Sequence, residues 1–431
     1  MAKTYRPYLP EQDFLLPPSP REWLPDDHLA YFVSDLVDEL DLTAITATYE
    51  QEDRGYPPYH PVMMTKLLVY AYCVGVFSSR KIQRRLGEEV AFRVLAAGNQ
   101  PDFRTIADFR KIHLTALEGF FEQVLRMALE AGAMQLGRVA LDGSKIQANA
   151  SKHQAMSYGR MQEKTRQLRH EVQQLLRQAE ATDAEEDARL GAEHRGDELP
   201  AELQRRDTRL QRIREAKRAL EARARAEAVA DGKPAESAKP DGKAQYNFTD
   251  PESRIMKGPD GFVQAYNAQI AVDANQQLIV GHAVTQEVND KRQLQPMVQA
   301  VAQQAGDRPQ QRLADSGYCS EANLTALAET SIDGYIATQR QKHGNRPTTC
   351  PRGPVPTQAT RVERMARKLL TKRGAAVYRR RKTIVEPVFG QIKAARGFRQ
   401  FLLRGLQKVR GEWALVCTTH NILKMYRACC T

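Results

Sequence analysis

No apolar run in the sequence approaches the ~20 residues needed to cross a bilayer, so a membrane-spanning reading is excluded. The opening residues, MAKTYRPYLPEQDF, lack the apolar core of a secretion signal, and a cytoplasmic protein is expected. Cysteine is scarce: six in 431 residues, with no C-x-x-C pair, which argues against a zinc site. With no secretion signal, Cys73, Cys319, Cys350, Cys417, Cys429 and Cys430 are read as reduced thiols. The nine histidines are scattered, so His282 and His420 are weak candidates for metal ligands. The only two tryptophans, Trp23 and Trp413, are read as core anchors.

Acid is short relative to base. There are 64 Lys and Arg against 52 Asp and Glu, a net charge of +12. That balance favours a polyanionic partner, because each phosphate neutralised releases a counterion. The plain alternative is a soluble basic protein, and clustering decides between them. With 42% hydrophobic and 27% charged residues, the chain is globular and long enough for two or three domains.

Residues 1–18 are proline-rich and read as extended. Ser19-Pro20-Arg21-Glu22 has the form of a capping box. Leu29, Phe32, Val33, Leu36, Val37 and Leu40 then recur at helical spacing. Pro61 opens an almost wholly apolar core helix. Ser78-Ser79 caps a short basic helix carrying Arg80, Lys81, Arg84 and Arg85, and a long helix follows from Asp102 or Thr105 to near Gly132. Several short helices, one of them basic, suggest a DNA-binding domain of helix-turn-helix type over 1–134; a bundle with a solvated basic face is the plainer reading.

Val139, Ala140 and Leu141 form a short apolar run that Gly143 breaks, so a strand ending on Asp142 is predicted. Open α/β sheets place their chemistry at such strand ends, although an aspartate there also caps turns. Lys145 and Asn149 are candidates for DNA contact or for simple strand-end polarity. From Met161 to Ala230 the composition turns to Gln, Arg, Glu and Ala, and DGKPAESAKPDGK follows as a linker, the whole forming an insertion over 153–245. Apolar stripes at Leu168, Val172, Leu175 and Ala179, and at Leu203, Leu210, Ile213 and Leu220, predict an antiparallel helical hairpin with a flexible tip. Strand patterns then resume: Gly261–Val272 and Gln277–Gln286 as a hairpin turning at Asp273, and Arg312–Tyr318 ending on Asp315. Asp290–Gln304 reads as a helix with its acids at the dipole-favoured start. From Arg361 to Lys382 ten basic residues face the single acid Glu363, a density that points to phosphate contact. Two long helices complete the chain, the first bearing Glu386.

The order of these elements is that of a ribonuclease-H-like mixed sheet, an α/β catalytic domain over 135–152 and 246–431. An all-α domain precedes it and a helical hairpin over 153–245 interrupts it. Clustered carboxylates in a basic chain call for divalent cations. The stretches ALDGSKIQANAS, LADSGYCS and IVEPVFGQIKAARGFRQFLLRG carry a closer likeness. Through them the chain resembles bacterial insertion-sequence transposases of the DDE class. The resemblance implies that Asp142, Asp315 and Glu386 hold two Mg²⁺, with Mn²⁺ as a substitute. It also implies a bacterial, nucleoid-associated enzyme that binds terminal inverted repeats, cleaves DNA and joins the 3′ ends to double-stranded target DNA. It would act as a homodimer or larger synapse, to whose pairing the helical hairpin could contribute.

Lys393, seven positions after Glu386, matches a lysine of related families. Lys382 stands where they carry an arginine, preceded by Arg379, Arg380 and Arg381, and Tyr378 is offset by one position from their tyrosine. The resemblance makes Tyr378, Arg379, Arg381, Lys382 and Lys393 phosphate or DNA contacts. Two other readings stay open: a nuclease on the same fold that performs no joining, and a DNA-binding regulator whose acids are structural.

Overall fold

The computed structural model describes residues 19–50, 57–190, 201–258, 261–330, 332–339 and 350–429. The extended segment expected at 1–18, part of the loop at 53–60, the hairpin tip at 191–200 and the polar loop at 340–349 lie outside them.

The first described element is a single 3₁₀ turn, Pro20–Trp23. Too short to enter the core, it leaves Trp23 50% exposed, against the expectation of a core anchor. Helix α1 (Leu29–Asp38) starts separately, capped by His28 Nδ1, which accepts from the Ala30 amide at 3.1 Å. A short α2 (Thr43–Glu50) precedes α3 (Pro61–Cys73), whose residues are buried almost all round. The basic helix is α4 (Ser79–Glu88), followed by α5 (Val90–Leu95). The long helix expected up to Gly132 is instead two, α6 (Phe103–Ile112) and α7 (Leu114–Glu130). The break falls at His113, whose backbone (φ −97°, ψ 14°) leaves the helical region and whose Nε2 lies 3.0 Å from the Tyr49 hydroxyl.

Strand β1 (Arg138–Gln147) does not end at Gly143 as expected. Strand β5 (Gly261–Asp273) pairs antiparallel with it without interruption, from Val139↔Asp273 to Gln147↔Ala265, and holds it extended past the glycine. What ends near Asp142 is β1's other neighbour, β7 (Gln311–Ala314), which pairs in parallel only through Ala140↔Leu313. The far edge of β5 pairs with β4 (Arg254–Gly258) along its first half and with β6 (Ile279–Thr285) along its second. Strand β8 (Asp333–Ile336) runs parallel to β7. The sheet order is therefore β6-β5-β1-β7-β8, with β4 beside β6, antiparallel on one side of β1 and parallel on the other.

The interruption after β1 is a stem and a hairpin. The stem pairs β2 (Ala155–Ser157) with β3 (Gln245–Asn247). Between them run α8 (Tyr158–Leu190) and α9 (Ala201–Ala230), packed against each other. Their buried contacts gather toward the stem in a core of their own: Tyr158, Met161, Leu168, Leu210, Ile213 and Leu220.

Helix α10 (Leu294–Gln304) covers β6, with Gly281 admitting Val301: a Cβ there would fall 2.7 Å from its Cγ2. Helix α11 (Glu321–Glu329) is capped by Ser320 as expected. Thr360 and Glu363 form a complete capping box for α12 (Arg361–Leu370), and α13 (Lys372–Gly390) passes through a π-helical segment, Gln391–Ala395, before α14 (Leu406–Cys429). Helix α14 ties the early helices to the sheet. It packs on α7, α3 and β6, and Asn421 exchanges two 2.8 Å hydrogen bonds with the Ile279 backbone. Trp413, fully buried, donates from Nε1 to the Gln269 carbonyl at 3.2 Å. One hydrophobic core thus runs from Ala30 through the sheet to Met425.

Candidate active site

Register brings the two aspartates together. Ala140 and Leu313 are partners across the parallel pair. Two residues further on, each chain presents an aspartate to the same face, because alternation restores the direction every second residue. Asp142 continues on β1, and Asp315 caps the 3₁₀ turn Ser316–Tyr318, its Oδ1 accepting from the Gly317 amide at 2.8 Å. Asp142 Oδ1 accepts from the Gly143 amide at 2.9 Å. Burial, opposed by Arg381 and assisted by Asp315 and Asp290, pushes the Asp142 carboxyl up to about 6.

Helix α13 lies over this face and brings a buried guanidinium. Arg381 Nη1 is 3.4 Å from Asp142 Oδ2, and Nη2 is 3.8 Å from Glu386 Oε1. Burial works against the Arg381 charge, but Asp142, Tyr378 and Asp315 outweigh it and hold its pKa above the ordinary value. Glu386 itself is exposed on the outer side of Arg381. Among the described residues, no three acidic, histidine or cysteine side chains converge closely enough to form a ready-made cation cage. The structure thus brings Asp142 and Asp315 together and joins Glu386 to them through Arg381.

Two family models match the chain. Residues 18–112 match the family described as Transposase domain (DUF772), and residues 223–422 match the Transposase DDE domain. The chain is an insertion-sequence transposase of the DDE class. No curated protein and no solved structure matches it. The DDE match contains Asp315 and Glu386 and begins after Asp142; it is the strand register that sets Asp142 beside Asp315.

The remaining candidates of the transposase separate by position. Lys393 donates to Ser144 Oγ and, at 3.3 Å, to the Lys145 carbonyl. Burial lowers its pKa, with Asp142 opposing. Tyr378 is half-buried; burial raises its pKa, Arg381 opposes, and Asp315 and Asp142 raise it further, so its hydroxyl faces the same cluster. Arg379 and Lys382 are exposed on α13 and touch neither aspartate. The buried position over Asp142 belongs to Arg381, because the helix turn that packs on β1 carries 381 inward and 382 outward. On α4, Arg84 and Arg85 are each ion-paired one turn on, to Glu88 and Glu89, whereas Arg80 lies over the Phe103 ring at 4.8 Å and Lys81 is exposed. Asn149 is structural, its Nδ2 donating to the Leu402 carbonyl at 2.7 Å.

One residue of the site was misplaced by sequence reasoning. Helix α10 begins at Leu294, so Asp290 is not at a helix start. Its Oδ1 accepts from Asn267 Nδ2 and Gln269 Nε2, both at 2.7 Å, and lies 3.5 Å from Lys145 Nζ. Gln269 accepts in turn from the Tyr318 hydroxyl. Lys145 Nζ is buried, makes only this marginal ion pair among the described residues, and has its pKa lowered by burial against the pull of Asp290. Two motif glycines make the room: a Cβ at Gly143 would meet Gln269 Nε2 at 2.2 Å and Asp290 Oδ1 at 2.6 Å, and one at Gly317 would meet Asp315 Oδ1 at 2.9 Å and Asp290 Oδ2 at 3.6 Å. The available signal was the glycine that follows each aspartate.

Proposed function

We propose that this transposase binds the terminal inverted repeats of its element, cleaves DNA there and joins the freed 3′ ends to target DNA, with Asp142, Asp315 and Glu386 as the catalytic acids. The observation that carries this reading is the register-matched pair Asp142 and Asp315, linked to Glu386 through Arg381. We infer a ribonuclease-H-like domain for 135–152 and 246–431, a reading supported by the mixed sheet, antiparallel on one side of β1 and parallel on the other. We read the helices of 1–134 as a DNA-binding region and 153–245 as the insertion.

Divalent cations suit the donor set. Carboxylates are the hard oxygen ligands that Mg²⁺ and Mn²⁺ take, and burial, opposed by Arg381 and assisted by Asp315 and Asp290, raises the Asp142 carboxyl, so a bound cation would favour its ionised form. Asp142 and Asp315 would hold two such ions with Glu386, and the ions when bound would supply charge neutralisation and polarisation of the phosphodiester. Around them, Asp290 positions Lys145 and the two amides against the aspartates. Lys393 fixes the β1 backbone beside Asp142 and offers a cation to a phosphate. Tyr378 and Arg381 orient the phosphate over Asp142, with Arg379 and Lys382 contacting the backbone further out. Two copies act on two ends in one synapse.

Alanine at Asp142, Asp315 or Glu386 is expected to leave end binding intact and to abolish Mg²⁺-dependent cleavage of terminal-repeat DNA. Retained cleavage by Asp315→Ala would sink that assignment. A pre-cut end supplied with Mg²⁺ and target DNA should be joined; cutting without joining would identify a nuclease instead.

A further inference from the structure

Two grooves open one after the other from the far end of β1. The first, about 580 Å³, lies between the β1 exit, the β5 edge and the segment after the π-helical turn; Lys152 and Arg404 are its charged residues and Phe262 forms part of its rim. The second, about 360 Å³, lies against α8 and α9 and carries Arg160, Arg209 and Arg212. His153 and Gln154 line both, so the grooves are continuous. Among the described residues no aspartate or glutamate lines either one, although acids make up 52 of the chain's charged residues against 64 basic ones. Among the described residues Arg160, Arg209 and Arg212 are exposed and in no ion pair, whereas Lys217 and Arg223 of α9 are each paired one turn on. Phe262 is 62% exposed, a large apolar ring left in solvent beside amide side chains.

From these features we propose that the trench carries a strand of the DNA end away from the active site, and that the helical insertion is a DNA clamp. This deepens the transposase reading and rests on it. Unpaired guanidinium groups without competing acids favour phosphates. The exposed Phe262 ring at the rim of the first groove is a stacking platform for an unpaired base. Gln147, which lines the first groove, lies five residues beyond Asp142 on β1, about 16 Å along the strand. At ~3.4 Å per nucleotide, the trench begins roughly five nucleotides from the scissile phosphate.

The test compares wild-type protein, an Arg160→Gln/Arg209→Gln/Arg212→Gln variant and an Arg218→Gln control, Arg218 being an exposed α9 arginine outside the trench. Each is titrated over a salt series with a duplex taken from the DNA bordering the reading frame, and then footprinted with hydroxyl radical. The triple variant should lose two to three phosphate contacts, flattening the salt slope by about 0.9 for each. Its affinity should fall about tenfold or more. Its protection should vanish over the outer part of the trench, beyond the stretch at Lys152 and Arg404 that begins near the fifth nucleotide, while remaining at the cut, and Arg218→Gln should behave as wild type. An unchanged slope and footprint in the triple variant, or an equal loss in Arg218→Gln, overturns the trench while leaving the transposase reading standing. Failure of the wild-type protein to bind and cut that duplex overturns the transposase reading, and the trench with it.

Discussion

Burial, with the charges of Asp315 and Asp290, raises the Asp142 carboxyl from 3.8 to about 6. A carboxyl raised in the fold stabilises it where the group is protonated. The contribution is complete below about 3.8 and is lost as pH climbs through about 6. The shift is worth at most roughly 3 kcal/mol. Cation-free protein should therefore lose stability between pH 4 and 7, and Asp142→Asn should remove that part of the loss, as read by denaturant unfolding across pH. Cation binding needs the ionised form, so Mg²⁺ should raise the melting temperature more at pH 7.5 than at pH 5. Arg381→Ala, which strips the opposing charge, should raise the Asp142 carboxyl further and carry the end of that loss to higher pH. Asp290 was legible as an acid but not as part of this site, because its partners Lys145, Asn267 and Gln269 come from two other strands. Asp290→Asn keeps an acceptor for the two amides but removes the charge facing Lys145. Stability within about 1 kcal/mol of wild type, with cleavage down at least ~10-fold, is expected; unchanged cleavage would reduce Asp290 to a packing role.

Among the elements, α14 shows how packing sets the site's frame. Gly411 lets it approach α7 so closely that a Cβ would fall 2.6 Å from Leu114 Cγ. Gly411→Ala should cost about 1–3 kcal/mol in unfolding measurements, the usual range for overpacking. A change of less than ~0.5 kcal/mol would show that the contact relaxes freely. Most elements were legible, because apolar periodicity and caps are local: Ser320 for α11, and the β5–β6 hairpin closed by Asp273, whose Oδ2 accepts from the Asn275 amide at 2.9 Å. Two boundaries were not. His113 breaks α6 from α7 where no Gly or Pro marks it, and β1 continues past Gly143 because β5 pairs along its whole length.

For the whole molecule, the continuous core matters more than the order of segments. Helices α1, α3 and α7 bury their faces against α14, while the insertion keeps its own small core. Calorimetry should show the early helices and the sheet melting in one transition, with the insertion free to melt separately. Expressed alone, 135–431 should aggregate, since removing the helices uncovers the α14 face on which Leu114 packs at Gly411 and Cys73 packs at Thr419. A soluble, well-folded 135–431 fragment would refute the shared core. No helix among the described residues is long and apolar enough to cross a membrane.

Local pattern was enough to determine the strand carrying Asp142, the strand leading to Asp315, the helix bearing Glu386, the helical interruption between β1 and β5, and the excess of base over acid. These follow from side-chain periodicity, capping chemistry and charge, all of which are read within a few residues. Only the tertiary structure decided that Arg381 rather than Lys382 lies over Asp142, that Asp290 joins the site, and that unpaired arginines of the insertion line a trench leading from β1. Helix rotation, strand register and the meeting of distant elements decide those points, and no local stretch of sequence encodes them.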